Sequence, residues 1–247
     1  MKHQICRTVL AAAAVTAGVF LSACGLFRTP ADDVFDNAED AIATDGAASK
    51  IKTAQIEYEF GDGKTSTVRF QAPDNVRIDV LDDVNSAVFC LNGKSGWMFL
   101  RGEVIDMTKD DIKDMRGTLL QTIPFKVDFQ DIFTDAELLD ESEDACGEEC
   151  DVIEAVFRRE KETKAKLWIG KYTDLLRQFE VTREDGVYTM LYFDYATFDD
   201  VTIPSEMFRF WPGGSTKLSL VSFETNVEIP ESVFRKPELF SITEGDK

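Results

Sequence analysis

Apolar residues recur at two different periods along this chain, and the switch between them separates helices from strands. From Asp33 to Ala43 the apolar positions are Val34, Phe35, Ala38, Ala41 and Ile42. Steps of three and four put them on one side of an α-helix, with Asp32 or Asp33 as its cap. The period then falls to two. Ile56, Tyr58 and Phe60 alternate with Glu57 and Glu59 and stop at Gly61-Asp62-Gly63. Val68 and Phe70 end at Ala72-Pro73-Asp74-Asn75, and Val76, Ile78 and Val80 alternate with Arg77 and Asp79. Ala87 to Leu91 is a denser apolar run, Asn92-Gly93 is a hairpin signal, and Trp97 to Leu100 leads out to Arg101-Gly102. Val104 to Met107 closes the series. Short strands at regular spacing with turn residues between them predict an antiparallel meander.

Helical spacing returns over Asp110 to Leu120 through Ile112, Met115, Leu119 and Leu120. Beyond Pro124, Asp131 to Leu139 reads as another short helix through Ile132, Phe133, Ala136 and Leu139, and the charged run Asp140 to Glu149 reads as an exposed loop. Strands resume over Val152–Arg158, Lys164–Ile169, Leu176–Thr182, Val187–Tyr195, Pro204–Phe210 and Lys217–Val227, with Asp185-Gly186 and Pro212-Gly213-Gly214 as turns. These twelve candidate segments are read as about ten or eleven strands, and a sheet of that width must curl or close. Helices on one face of an antiparallel sheet make an α+β fold, here a curved sheet whose concave apolar side the helices cover. No fixed-length repeat and no internal linker rich in Pro, Gly or Ser is visible, so residues 32–247 read as one domain.

The first residues follow neither pattern. Lys2 and Arg7 lead into an uncharged apolar run from Thr8 to Phe20, followed by Leu21-Ser22-Ala23-Cys24. A positive start, an apolar centre and a small-residue site make a secretory signal peptide. The run is shorter than the ~20 residues a membrane span needs. The Cys after Leu-Ser-Ala resembles the lipobox of bacterial lipoproteins. That resemblance implies removal of residues 1–23, acylation of Cys24 and a short tether over residues 24–31. Two or more acyl chains hold a protein firmly at a bilayer where one does not, so the chain is expected to attach to a membrane through Cys24. Gly25, where enteric inner-membrane lipoproteins carry Asp, implies the outer membrane, facing the periplasm.

Charge and composition narrow the chemistry. The net charge is −19, and Lys2 and Arg7 are the only charges before Cys24, so the remainder is more acidic still. Such a field repels nucleic acid and argues against an anionic membrane surface as the main ligand. The single histidine, His3, lies in the signal segment. Without it the remaining chain lacks Ser-His-Asp and Cys-His sites and histidine-ligated zinc, and no phosphate-binding, dinucleotide-binding or nucleophile-elbow motif is present, so no catalytic residue, cofactor or metal is expected. Cys146 and Cys150 are expected to form a disulfide that pins a hairpin or loop tip, since an exported protein meets oxidising conditions. Cys90 reads as a buried apolar residue.

The ordered series of elements resembles the LolA/LolB-type lipoprotein carrier superfamily, which includes mycobacterial lipoproteins such as LppX and the sensor-type RseB domains. The resemblance spans about Asp33 to Phe240. It is carried by Ile56-x-Tyr58-x-Phe60 after the first helix, Pro73-Asp74-Asn75-Val76-Arg77-Ile78, Leu91-Asn92-Gly93-Lys94-Ser95-Gly96-Trp97, Leu167-Trp168-Ile169-Gly170 through Leu176, and Glu184-Asp185-Gly186 followed by Tyr195 and Val201-Thr202-Ile203-Pro204-Ser205. Asn92 and Gly170 stand where the superfamily often has Asp. The resemblance implies an incomplete β-barrel with helices as a lid over a cavity that binds acyl chains of lipids or lipoproteins. It also implies a periplasmic carrier or membrane protein as partner, with an RseB-like sensor or a non-catalytic structural lipoprotein as the alternative. The inward candidates are Ile56, Tyr58, Phe60, Val68, Phe70, Ile78, Val80, Phe99, Leu167, Ile169, Phe179, Val181, Met190, Tyr192 and Phe223, each of which also suits an ordinary core. Trp97 and Trp168 suit a cavity wall or its edge equally.

Overall fold

A computed structural model describes residues 28–81, 86–117, 123–126, 128–158 and 160–237. The expected signal segment and Cys24 lie outside the described residues, as do Leu119 and Leu120 of the second predicted helix. The first strand group comprises β1 (Thr53–Phe60), β2 (Thr65–Gln71), β3 (Asn75–Leu81), β4 (Ala87–Asn92), β5 (Ser95–Leu100) and β6 (Glu103–Asp106). The second comprises β7 (Phe133–Leu138), β8 (Glu143–Ala145), β9 (Glu148–Phe157), β10 (Glu160–Gly170), β11 (Leu176–Arg183), β12 (Gly186–Phe198), β13 (Val201–Trp211) and β14 (Gly214–Thr225). Helices α1 (Pro30–Ile42) and α2 (Ala47–Lys50) precede β1, and α3 (Lys109–Gly117) and α4 (Phe129–Ile132) lie between the two groups.

All described strands join one antiparallel sheet in the order β6-β5-β4-β3-β2-β1-β14-β13-β12-β11-β10-β9-β7, with β8 also on β9. Two meanders thus wind outward from a central β1–β14 pair, and the sheet remains unclosed between β6 and β7. The helical insertion between β6 and β7 belongs to the connection across that opening. In β1 the expected alternation holds: Ile56 and Tyr58 are buried inward, while Glu57 and Glu59 face away.

Helix α1 starts earlier than its apolar spacing suggests. Thr29 is the N-cap, Pro30 occupies the first turn, and Asp32 returns a hydrogen bond to the Thr29 N–H at 2.7 Å. Thr29 and Asp32 form a capping box, and proline at the first helical position lacks only a donor the helix cannot use. Pro30 and Ala31, expected in the tether, are therefore helical, and Ala31, Phe35, Ala38 and Ile42 form the buried stripe.

Two predicted elements change type. The helix expected over Asp131–Leu139 shrinks to α4, and Phe133–Leu138 is an edge strand on β9. Its register slips between Thr134 and Glu137, with Asp135 at φ 52°. A bulge adds one residue to the two-residue period, so Phe133 and Ala136 fall three apart and imitate a helical step. The charged run after Asp140, expected as a loop, contains β8 and a two-residue turn to β9. Its turn residues Cys146 and Gly147 have φ 49° and 82°, the sign a type I′ hairpin requires. The disulfide expected between Cys146 and Cys150 is not formed in this structure, where both are free thiols. Cys146 Sγ points to the Arg177 carbonyl and Cys150 Sγ to the Glu148 carbonyl, so the two face different acceptors. The β4–β5 turn is centred on Gly93-Lys94, one residue beyond the expected Asn92-Gly93, with Asn92 paired to Ser95.

Gly170 departs from the resemblance for a local reason: a Cβ there would run into the Glu148 carboxylate. That carboxylate accepts the N–H groups of Tyr172 (2.9 Å) and Thr173 (3.0 Å) and the Arg177 Nε–H (2.6 Å). Burial opposes its ionisation, but these donors outweigh burial and hold the carboxyl below its usual range.

Candidate functional site

The concave face of the unclosed sheet is the candidate site. Ile56, Tyr58, Val68, Phe70, Leu167, Ile169, Phe179, Val181, Met190, Tyr192 and Phe223 are buried there in one contiguous apolar cluster. Ile78 packs against it, half-buried. Phe60 and Val80, also inward, stand half-buried at the rim beside an open concavity of about 790 Å³. Phe99 is the exception. It lies with Cys90 and Trp97 in a separate cluster under the C-terminal segment, where Ile229 and Phe234 return across the sheet's other face. Trp97 Nε1 donates to the Phe234 carbonyl at 3.1 Å, and an Arg77 guanidinium N–H donates to the Val233 carbonyl at 2.8 Å. Trp168 packs in a third cluster with Cys150 and Val152. Neither tryptophan lines the concavity.

Aromatic residues from outside the sheet cover the concave face. Phe35 of α1 stacks on Phe129 of α4 with ring centroids 4.9 Å apart, and Phe133, Phe157 and Phe179 continue the array. The short 3₁₀ turn Pro124–Lys126 places Phe125 against Phe70 and Phe223, at 6.1 and 5.6 Å. Of this cover, only the α1 stripe is marked in the sequence by periodicity. Phe125 and Phe129 sit in segments too short to show a period.

Two polar groups stand out against this apolar surface. Tyr192 is fully buried, and its hydroxyl has no hydrogen-bond partner among the described residues. Tyr58 beside it donates to the Pro204 carbonyl at a long 3.5 Å. Glu39 of α1 accepts the Phe129 N–H at 2.7 Å and so ties α1 to the start of α4. Burial pushes its carboxyl up to about 7; the Phe129 hydrogen bond opposes this, and Asp128, Asp36 and Asp40 add to the rise.

An antiparallel half-barrel with an apolar, helix-covered concavity can enclose aliphatic chains without specific polar contacts, since burial in such a surface removes about 25 cal/mol per Å² of exposed hydrocarbon. Comparison with known proteins gives the fold a name. The chain is similar to a DUF1329 family protein from Desulfovibrio piger, with a TM-score of 0.59 at 15% identity over 84% of this chain and 98% of the other. It is similar to a LolA superfamily protein from Nitrosomonas europaea, with a TM-score of 0.54 at 14% identity over 85% and 99%. A domain from Vibrio parahaemolyticus described as an outer membrane lipoprotein-sorting protein gives 0.54 at 13% over 83% and 97%. The fold is that of LolA superfamily proteins. No family model and no curated protein matches the chain in sequence.

Proposed function

We propose that the chain is a lipid-anchored, non-catalytic protein of the bacterial cell envelope that holds acyl chains of lipids or lipoproteins in its concave apolar face, and that it serves lipoprotein sorting or lipid transport. The observation that carries this reading is the unclosed sheet with an apolar concave side and an aromatic cover from α1, α4 and Phe125. The fold shared with a domain described as lipoprotein-sorting supports it. Cys24 is the anchor, the outer membrane facing the periplasm is the location, and a periplasmic carrier or a membrane protein is the partner. An acyl chain carried through water must stay covered, because its exposure costs free energy in proportion to its area.

Native mass spectrometry of the chain from Gly25 onward, purified from a bacterial periplasm, tests the reading. A stoichiometric acyl lipid or lipopeptide is the expected result. A clean unliganded mass, with no uptake of a fluorescent fatty-acid probe, overturns it and leaves the apolar residues as ordinary core.

A further inference from the structure

Three adjacent strands end at one rim of the half-barrel, and each places inward-facing polar or aromatic side chains there. Pairing sets Val181 opposite Tyr188, and Met190 opposite Arg209. Read outward from the core, the inward positions are Phe179, Val181 and Arg183 on β11, Tyr192, Met190 and Tyr188 on β12, and Met207, Arg209 and Trp211 on β13. The inner members are buried in the main apolar cluster. Tyr188, Arg209 and Trp211 line the concavity of about 790 Å³, which Phe60 and Val80 bound from the first strand group. Arg183 borders it, its guanidinium 5.4 Å from the Tyr188 ring centroid, and the Arg209 guanidinium stands 6.0 Å from that of Trp211. The hairpin tips touch here: Gly186 has φ 137°, and a Cβ on it would lie 2.5 Å from Pro212 Cγ.

The charges at this rim are equal in number, four carboxylates and four cations, but unequal in pairing. Lys64 holds Asp62 at 2.6 Å, Lys217 holds Glu206 at 2.7 Å, and Asp185 accepts the Tyr188 hydroxyl at 2.6 Å. Glu184 is exposed in the turn. Among the described residues neither Arg183 nor Arg209 is ion-paired with a carboxylate, in a chain of net charge −19. Arg183 and Arg209 are both exposed as residues; desolvation of the Arg209 guanidinium still holds it below its usual range, opposed by Tyr188 and with a smaller contribution from Arg183 in the same direction. Two unpaired guanidiniums therefore stand above an apolar interior, an arrangement that an anionic group with a hydrocarbon tail would complete from both sides.

We propose that the rim is a headgroup site: Arg183 and Arg209 take the phosphate of a phospholipid, Trp211 flanks it, and the acyl chain runs inward past Val181, Met190 and Met207. This rests on the carrier reading and names its ligand class. The phosphate chemistry is shared by free inorganic phosphate, which the test separates.

The lipid-anchored full chain, in a non-ionic sugar detergent, is titrated with lysophosphatidylglycerol, with the monoacylglycerol of the same chain, and with inorganic phosphate, and binding is followed by tryptophan emission. Trp97 and Trp168 are buried elsewhere, and Trp211→Phe identifies the responding ring. A hydrogen bond to a charged group is worth about tenfold in affinity, so the phospholipid is expected to bind at least tenfold tighter than the glyceride. Arg183→Gln with Arg209→Gln should erase that preference and leave glyceride binding unchanged. Equal binding of the two acyl compounds, or a preference that survives in the double variant, overturns the headgroup site while the carrier reading stands. Inorganic phosphate binding as tightly as the phospholipid makes the site one for a soluble anion and overturns the lipid assignment. Binding of neither acyl compound overturns the carrier reading and the headgroup site together.

Discussion

Glu39 makes the attachment of the cover sensitive to pH. Its carboxyl is pushed up to about 7 from an ordinary 4.5, chiefly by burial and then by Asp128, Asp36 and Asp40, against the opposing Phe129 N–H bond. The folded state therefore prefers the neutral acid. Below about 4.5 both folded and unfolded chains hold the proton, and the preference stabilises the fold in full. As pH rises through the window from 4.5 to about 7, the unfolded chain releases the proton first and that stability is lost; above the window the native state carries a disfavoured charge. At about 1.36 kcal/mol per pH unit the interval would be worth about 3 kcal/mol for a fully buried acid. Glu39 is only half-buried, and solvent screening leaves about 1–2 kcal/mol. Glu39→Gln keeps an oxygen for the Phe129 N–H and removes the titration. Urea unfolding near pH 8 should find the variant more stable by about 1–2 kcal/mol, and near pH 5 the difference should shrink towards zero. A difference between wild type and variant that is the same at both pH values would refute the reasoning.

Three further substitutions test other parts of the fold. Tyr192→Phe removes a buried hydroxyl that has no partner among the described residues and should stabilise the ligand-free protein by about 1–3 kcal/mol in thermal unfolding; a loss of stability would mean that the hydroxyl is satisfied. Phe35→Ala empties the centre of the aromatic cover and should cost about 3–5 kcal/mol by urea titration, with a cost under about 1 kcal/mol showing that α1 contributes little to holding the cover. Asp79, nearly buried, pairs with Arg69 at 2.6 Å and Arg77 at 2.7 Å, while Arg69 also reaches Gln55 and Arg77 the Val233 carbonyl, so Asp79→Ala should cost about 1.5–3 kcal/mol; an unchanged melting temperature would show that these other partners suffice.

Much of the architecture was legible because one face of each strand is buried and the other is wet. The alternation through Ile56 and Tyr58, and again through Leu167 and Ile169, reappears as buried positions of the main apolar cluster, with Phe60 half-buried beyond them. What failed did so where alternation alone cannot choose a side. Phe99 and Trp97 share a face of β5, but the segment ending in Phe234 covers that face from outside, so an apolar residue there marks a second, smaller core. Periodicity reports that a face is buried and not what buries it. The β7 bulge shows the opposite failure, a strand whose slipped register copied a helical step. The extent of α1 was misjudged because apolar spacing starts at the first buried side chain, whereas the helix starts at its capping group, Thr29.

The rim illustrates why composition and site can point in different directions. Acidity over the whole chain argues against an anionic surface as the main ligand, because a net charge of −19 sets a repulsive field at long range. That field is screened within about 8–10 Å at ordinary salt, whereas a headgroup seated between two guanidiniums is governed by contacts of a few ångströms. Lys64 and Lys217 are already occupied by Asp62 and Glu206, so among the described residues the cations left for a ligand are the two arginines without a carboxylate partner. Arg183 and Arg209 lie far apart in sequence and come together only because β12 pairs with both β11 and β13. No spacing rule could have joined them. A net negative charge over the whole chain and the proposed anionic headgroup site at two arginines are thus compatible, since they act over different distances.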